Sequence, residues 1–371
     1  MQIVDLALQR SKYKHLTDDE WRWFLQQVEG RERTAEKLPT FAAIEDWWYP
    51  VRLSCEQCSS ELTARYKASL VSGETMVDLT GGYGVDTYFL SEQFAHTDYV
   101  EQNAELCRIA AHNFADKPIA IHHTSAEEFL ASAGEYDLIF VDPARRDSHG
   151  GKVFRLEDCT PNVVDLLPTL LAHGKRVMIK LSPMLDLTQA VKELSAFSTQ
   201  WSVYVVAIKN EVKELLLLSG GSGRITAIDL AKKEQVFVFS KEEEQKAQSA
   251  IGHLSLEIGN FIYEPSAAIL KAGAYKLVAE RFGLHKLDIN THLYASDTLV
   301  PDFPGRIWKI AESQEPKAKR QANVLVRNYP LTPEQLKKKL HLRDGGTAYV
   351  IGCRVAGKPT LFFAERMDDI H

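Results

Sequence analysis

Short apolar runs alternate with longer amphipathic stretches between residues 60 and 219. Seven of the runs read as strands: "ETMVDLT", "DYVEQ", "PIAIHH", "YDLIFVDP", "KRVMIKLSP", "WSVYVVAIK" and "KELLLLSG". With helical stretches between them they predict an α/β domain built on a Rossmann-like, seven-stranded, doubly wound sheet. The helix before the fifth run has clear ends, with Thr160 as cap, Pro161 at its first position and Gly174 after it. Residues 1–58 read as a helical cap. Thr17 and Glu20 have capping-box spacing there, and Trp21, Phe24, Leu25 and Val28 follow a helical stripe.

Past residue 220 the pattern changes to hairpin-like "RITAIDL" and "QVFVFS", a helix from about 266 to Gly283, and short strands around a helix starting at Thr332. The expected domains are a helical region (1–58), the α/β domain (59–220), a small α+β, ferredoxin-like segment (221–285) and a second α+β domain (286–371). "SGGSG" at 219–223 is the most linker-like stretch.

Composition narrows the class. The chain has 371 residues, 45% hydrophobic and 25% charged, with a net charge of −6. It can bury a substantial core, and as a whole it is no basic nucleic-acid binder. No secretory leader or membrane-length apolar run is visible, so a cytoplasmic location is expected. Five cysteines give one lone CxxC, Cys55 and Cys58. Without a second pair or spaced histidines, no metal site is expected.

The candidate chemistry starts at "MVDLTGGYGVD", where the first strand ends. Gly81, Gly82 and Gly84 let the backbone turn sharply and approach a ligand, and a helix starting near Val85 aims its N–H groups at the loop. A dinucleotide fingerprint requires a third glycine where Thr87 stands. Asp78, just before Thr80 and the glycines, instead resembles the first motif of the class I S-adenosylmethionine-dependent methyltransferases. The resemblance implies an acid near the methionine part of that cofactor. Glu101 follows Asp78 by 23 positions and closes the second strand, where a carboxylate can accept from both ribose hydroxyls. This spacing suits either cofactor. One strand later Ser125, Ala126 and Glu127 match the methyltransferase adenine region, and Gln57, Ser59 and Thr63 lie just before the first motif. Ordinary turns and solvated strand ends are the plain alternative for these residues.

The fourth strand ends in Asp142-Pro143-Ala144-Arg145-Arg146. An open sheet forms its crevice there, which places Asp142 against the methyl acceptor. Enzymes that methylate base amines carry a second proline and an aromatic residue at this loop, and both are missing. Arg145 and Arg146 fit recognition of phosphate or carboxylate, with surface ion pairs as the alternative. Lys180, closing the fifth strand, is a further candidate at the rim.

From Pro316 to Arg343 there are eight basic residues against one acid: Lys317, Lys319, Arg320, Arg327, Lys337, Lys338, Lys339 and Arg343 against Glu334. This is the footprint of a phosphate-gripping module, or else a solvated helix face. "EQCSSELTARYKA", "DLTGGYGVDT", "VDPARRD" and "YEPSAAILKAGAYKLVAERFG" with "DFPGRIWKI" together resemble a bacterial methyltransferase family with a C-terminal THUMP-like domain. The resemblance implies S-adenosyl-L-methionine as cofactor and RNA as partner, with Lys317, Lys319, Arg320 and Arg327 among the RNA-binding residues. Methylation of a small molecule or protein, and RNA binding without turnover, are the alternatives.

Overall fold

The computed structural model describes residues 10–145, 156–195, 200–231, 235–248, 259–311 and 321–367. The chain divides into two compact units, one of residues up to 202 with 215–222, the other of 203–214 with 223 onwards.

In the first unit, helix α1 (Asp18–Thr34) is closed by the expected capping box, the Thr17 side chain accepting from Glu20 N and Glu20 reaching back. Phe41 and Trp47 stack at 4.0 Å. The Trp47 indole donates to Tyr83 Oη at 2.9 Å, so the N-terminal helical region is anchored to the glycine loop. Helix α2 (Glu61–Ala68) is capped by Ser60, whose side chain accepts from Thr63 N. In the sequence, Leu62, Tyr66 and Leu70 recur at four-residue spacing and read as a buried stripe. Leu62 is in fact 44% exposed, while Lys67 is fully buried, because an acid inside the domain draws the lysine in.

The main sheet contains strands β1 (Gly73–Asp78), β2 (Phe94–Glu101), β3 (Ile119–His123), β4 (Tyr136–Val141), β5 (Gly174–Leu181), β6 (Trp201–Ile208), β7 (Glu211–Ser219), β8 (Ile225–Asp229) and β9 (Gln235–Phe239). Their order is β9-β8-β6-β7-β5-β4-β1-β2-β3. The seven expected strands are all present, in the order 3-2-1-4-5-7-6. β1 to β5 run parallel where they pair, and β7 is antiparallel to β5. The hairpin β8–β9, expected in a separate α+β region, instead extends this sheet by pairing β8 parallel to β6. Its apolar alternation fits any sheet edge, and sequence pattern does not name the partner strand.

The central strands are buried on both faces. Val77, Ile139 and Val177 on one face and Met76, Phe140 and Met178 on the other are at most 1% exposed. Each such side chain contributes roughly 1.5–3 kcal/mol of transfer free energy, which fixes the strand ends as a rigid platform. The helix before β5 spans Val163–His173 and its cap is Asn162, whose side chain accepts from Val164 N. Thr160 and Pro161, expected to start it, belong to the segment before, where Cys159–Thr160 pairs with Ala144–Arg145.

The second unit carries a seven-stranded sheet. Its strands are β10 (Phe261–Pro265), β11 (His285–Asp288), β12 (Thr291–Ser296), β13 (Gly305–Ile310), β14 (Asn323–Arg327), β15 (Ala348–Val355) and β16 (Lys358–Arg366), in the order β11-β12-β10-β13-β16-β15-β14. The single helix expected over 266–283 is two, Ala267–Ala272 and Leu277–Phe282. Gly273 breaks it in the left-handed conformation, φ 84°. Glu264 of β10 nevertheless pairs with Arg327 of β14, four places along the order. In a flat sheet those strands stand about 19 Å apart, so this sheet curls. Among the described residues no helix is long and apolar enough to cross a membrane.

Candidate functional site

At the C-terminal ends of β1, β2, β4 and β5 the first unit opens into a cavity of about 370 Å³. It is of the size that holds small ligands. Asp78, Thr80, Gly81, Gly82, Gly84, Glu101, Ala126, Asp142 and Lys180 all line it.

The glycine loop is shaped by close approaches. A Cβ on Gly81 would meet the Tyr99 ring at 2.1 Å, and Gly84 has φ +82° with Phe114 behind it. Gly82 differs, since a Cβ there would meet only the Thr80 carbonyl at 3.7 Å. Its face is open toward the cavity. Glu101 holds this loop in place. Its Oε2 accepts from Gly82 N at 2.9 Å and its Oε1 from Asn103 N at 2.8 Å. Each oxygen keeps a second lone pair, so the carboxylate can still accept from a bound ligand.

Asp78 is 1% exposed. It accepts from Thr80 N at 2.9 Å and from Thr87 Oγ1 at 2.6 Å. Burial raises its pKa, the two hydrogen bonds oppose this, and nearby Asp86 and Asp142 add to the rise, leaving it pushed up to about 7. Thr80 links the first and fourth strands, because its Oγ1 accepts from Asp142 N at 2.7 Å.

Beneath the cavity runs a chain of alternating charges. Lys67 Nζ lies 3.1 Å from Asp86 Oδ1, Lys180 Nζ 3.4 Å from Asp86 Oδ2, and Lys180 pairs closely with Asp142. Ser59 Oγ donates to Asp86 Oδ2 at 2.7 Å. Burial alone would raise the Asp86 pKa, but the two ammonium groups outweigh it and hold the carboxylate ionised. Asp142 is the outermost member, 37% exposed at the side chain against 12% for Lys180 and 0% for Lys67. Asp86, Asp142 and Glu101 face two lysines here, and Asp78 adds to the acidic side as it ionises. This balance favours a cationic ligand and disfavours a pyrophosphate, which separates the two cofactor classes that strand spacing left open.

Other candidates fall differently. Gln57 and Ser59 line the cavity, whereas Thr63 is buried in α2. Ser125 caps the helix Ala126–Leu130 in a capping box with Glu128, and Glu127 is exposed outside the cavity lining. Arg327, expected to bind a substrate backbone, is ion-paired to Glu264 beside Arg306 and keeps 38% of its side chain exposed. Arg146, Lys317, Lys319 and Arg320 lie outside the described residues, as does the side chain of Arg145. Among the described residues no group of three or more His, Cys, Asp or Glu could hold a metal. Asp86 and Lys67 were missed because charged residues on short helices read as solvent-facing. Thr160 and Pro161, taken as helix start, line the cavity.

Residues 261–304 match a ferredoxin-like domain family and residues 306–366 a THUMP domain-like family. The crystal structure of a candidate methyltransferase from Porphyromonas gingivalis superposes with a TM-score of 0.85 at 33% identity, covering 95% of this chain and 92% of that one. An uncharacterised S-adenosylmethionine-dependent methyltransferase of Mycobacterium tuberculosis is 22% identical over 348 residues, covering 90% of this chain and 92% of its own. Given this extent of shared sequence and fold, the chain belongs to the family of class I S-adenosylmethionine-dependent methyltransferases with a C-terminal THUMP-like domain.

Proposed function

We propose that the protein transfers a methyl group from S-adenosyl-L-methionine to RNA, of transfer or ribosomal type. The observation that carries this reading is the cavity at the strand ends, where Glu101, the glycine loop, Asp142 and Lys180 come together. The cofactor supplies an electrophilic methyl group on a sulfonium. Glu101 would accept from its ribose hydroxyls, the open backbone at Gly82 would lie along it, and Ala126 would face its base. Asp78 would sit near its cationic end and shift toward the ionised form.

Methyl transfer is an in-line displacement, so the chain's main tasks are to orient the acceptor and to accept its proton. Asp142 would hold the acceptor group at the mouth of the cavity. Lys180, fixed between Asp86 and Asp142, would keep that carboxylate aimed. Arg145 and Arg146 would grip a neighbouring phosphate. Residues 59–220 would thus carry the transfer.

The THUMP domain-like match over 306–366 and the basic run from Pro316 to Arg343 support an RNA acceptor in place of a small molecule or protein. The test is transfer of labelled methyl to total RNA from a strain lacking the gene, with the protein fraction as control. Incorporation into RNA alone is expected, and Lys180→Met should lower it at least about 100-fold while leaving cofactor affinity within a few-fold. Label in the protein fraction alone would refute the RNA assignment.

A further inference from the structure

The second unit holds a cavity of about 860 Å³ whose lining includes Tyr275, Lys276, Lys286, Asn290 and His292. An adjoining hollow of about 620 Å³ shares Lys246 and Gln248 with it. The two make one elongated groove. Part of its wall is aromatic and fixed: the Tyr275 and His292 rings stack at 4.0 Å and 19°, and Tyr275 Oη donates to Leu270 O at 3.0 Å. Lys286 is 6% exposed, donates to Ile289 O at 2.6 Å, and stands 5.8 Å from the Tyr275 ring centre.

The groove contains two acids, and backbone N–H groups engage both. Glu244 accepts from Tyr275, Lys276 and Leu277 at 2.8–3.1 Å, and Glu280 accepts from Gln248 N at 3.0 Å. Among the described residues, none of Lys246, Lys276 and Lys286 forms an ion pair with a carboxylate. In the basic run expected to bind RNA, Arg327 pairs with Glu264 and Lys337 with Asp344.

We propose that this groove binds a single-stranded segment of RNA. Lys246 and Lys276 are exposed at its rim and meet the backbone phosphates, a base lies against the Tyr275–His292 stack, and Gln248 and Asn290 offer donors and acceptors to base edges. Spaced cations with an aromatic platform are the pattern of sequence-tolerant single-strand binding. Two joined hollows exceed what a lone phosphate needs. The proposal rests on the RNA reading above but places the grip outside the basic run.

The probe is a fluorescein-labelled single-stranded RNA of 12 nucleotides, mixed in sequence. Its binding to the full chain is followed by anisotropy between 50 and 200 mM salt. Lys246→Ala with Lys276→Ala should weaken binding about 10-fold and lower the slope of log K against log salt by roughly 1.4, at about 0.7 for each phosphate no longer neutralised. Lys338→Ala with Lys339→Ala should change both less, and thermal melting should match across variants. A groove variant with wild-type affinity and slope, or a wild-type chain that does not bind the probe, overturns the proposal. Label reaching RNA while the groove variant binds normally would sink the groove alone. Loss of RNA binding in the groove variant, with no label in RNA, would keep the groove and sink the methylation reading.

Discussion

Each unit buries one carboxylate between two cations, and the two sites differ in what that accomplishes. Asp86 sits between Lys67 and Lys180 under a cavity, and a further acid, Asp142, shares Lys180 at the cavity mouth. Glu264, 2% exposed at the side chain, sits between Arg306 and Arg327 across a curled sheet, with one guanidinium on each oxygen. The two arginine side chains stay 30% and 38% exposed, so both still reach water. In the first unit Asp86 and Asp142 balance the two lysines, and Glu101 in the same lining leaves the cavity acidic. In the second the excess charge is basic, half-exposed, and clamps strands that are distant in the sheet order. The same three-charge motif serves a ligand site in one place and sheet closure in the other.

Asp86→Asn should have the largest effect on stability. It leaves Lys67, 0% exposed, facing a neutral amide, and removing one partner of a buried ion pair typically costs about 3–5 kcal/mol. Urea unfolding measures this. A loss below about 1 kcal/mol would mean that the lysines are hydrated and the buried-chain picture is wrong.

Asp78→Asn tests the same cavity through pH. The folded carboxyl has its pKa raised to about 7, above its value of roughly 3.9 in the unfolded chain. Between these values the unfolded state is ionised and the folded state protonated, so wild-type stability falls as pH rises toward 7. The asparagine variant lacks this loss. It should gain on wild type by about 2–3 kcal/mol between pH 5 and pH 8, seen as diverging melting temperatures. Parallel curves would show that Asp78 is ionised throughout.

Glu264→Gln should destabilise by about 2 kcal/mol, less than Asp86→Asn, because both arginines reach water. If the order of the two losses is reversed, the contrast between the units fails.

Much of this was legible in the sequence. Seven strand patterns, the glycine loop and Glu101, 23 positions after Asp78, placed the crevice correctly, because parallel strands buried on both faces leave long apolar runs that end at the site. Lys67 and Asp86 were not legible. Each sits on a short helix whose polar residues look solvated until the opposite charge, 19 positions away in the sequence, is seen to meet it inside. The split of helix 266–283 could have been seen at Gly273. Attachment of β8 and β9 to the main sheet could not, since edge pairing is set by long-range geometry.

The central claim is that Glu101 and the loop it braces hold the methyl donor. Calorimetric titration of the full chain with S-adenosylmethionine, wild type beside Glu101→Ala, tests it most directly. Loss of charge-assisted hydrogen bonds should weaken the variant about 10- to 100-fold. Equal affinity in the two proteins would contradict the claim.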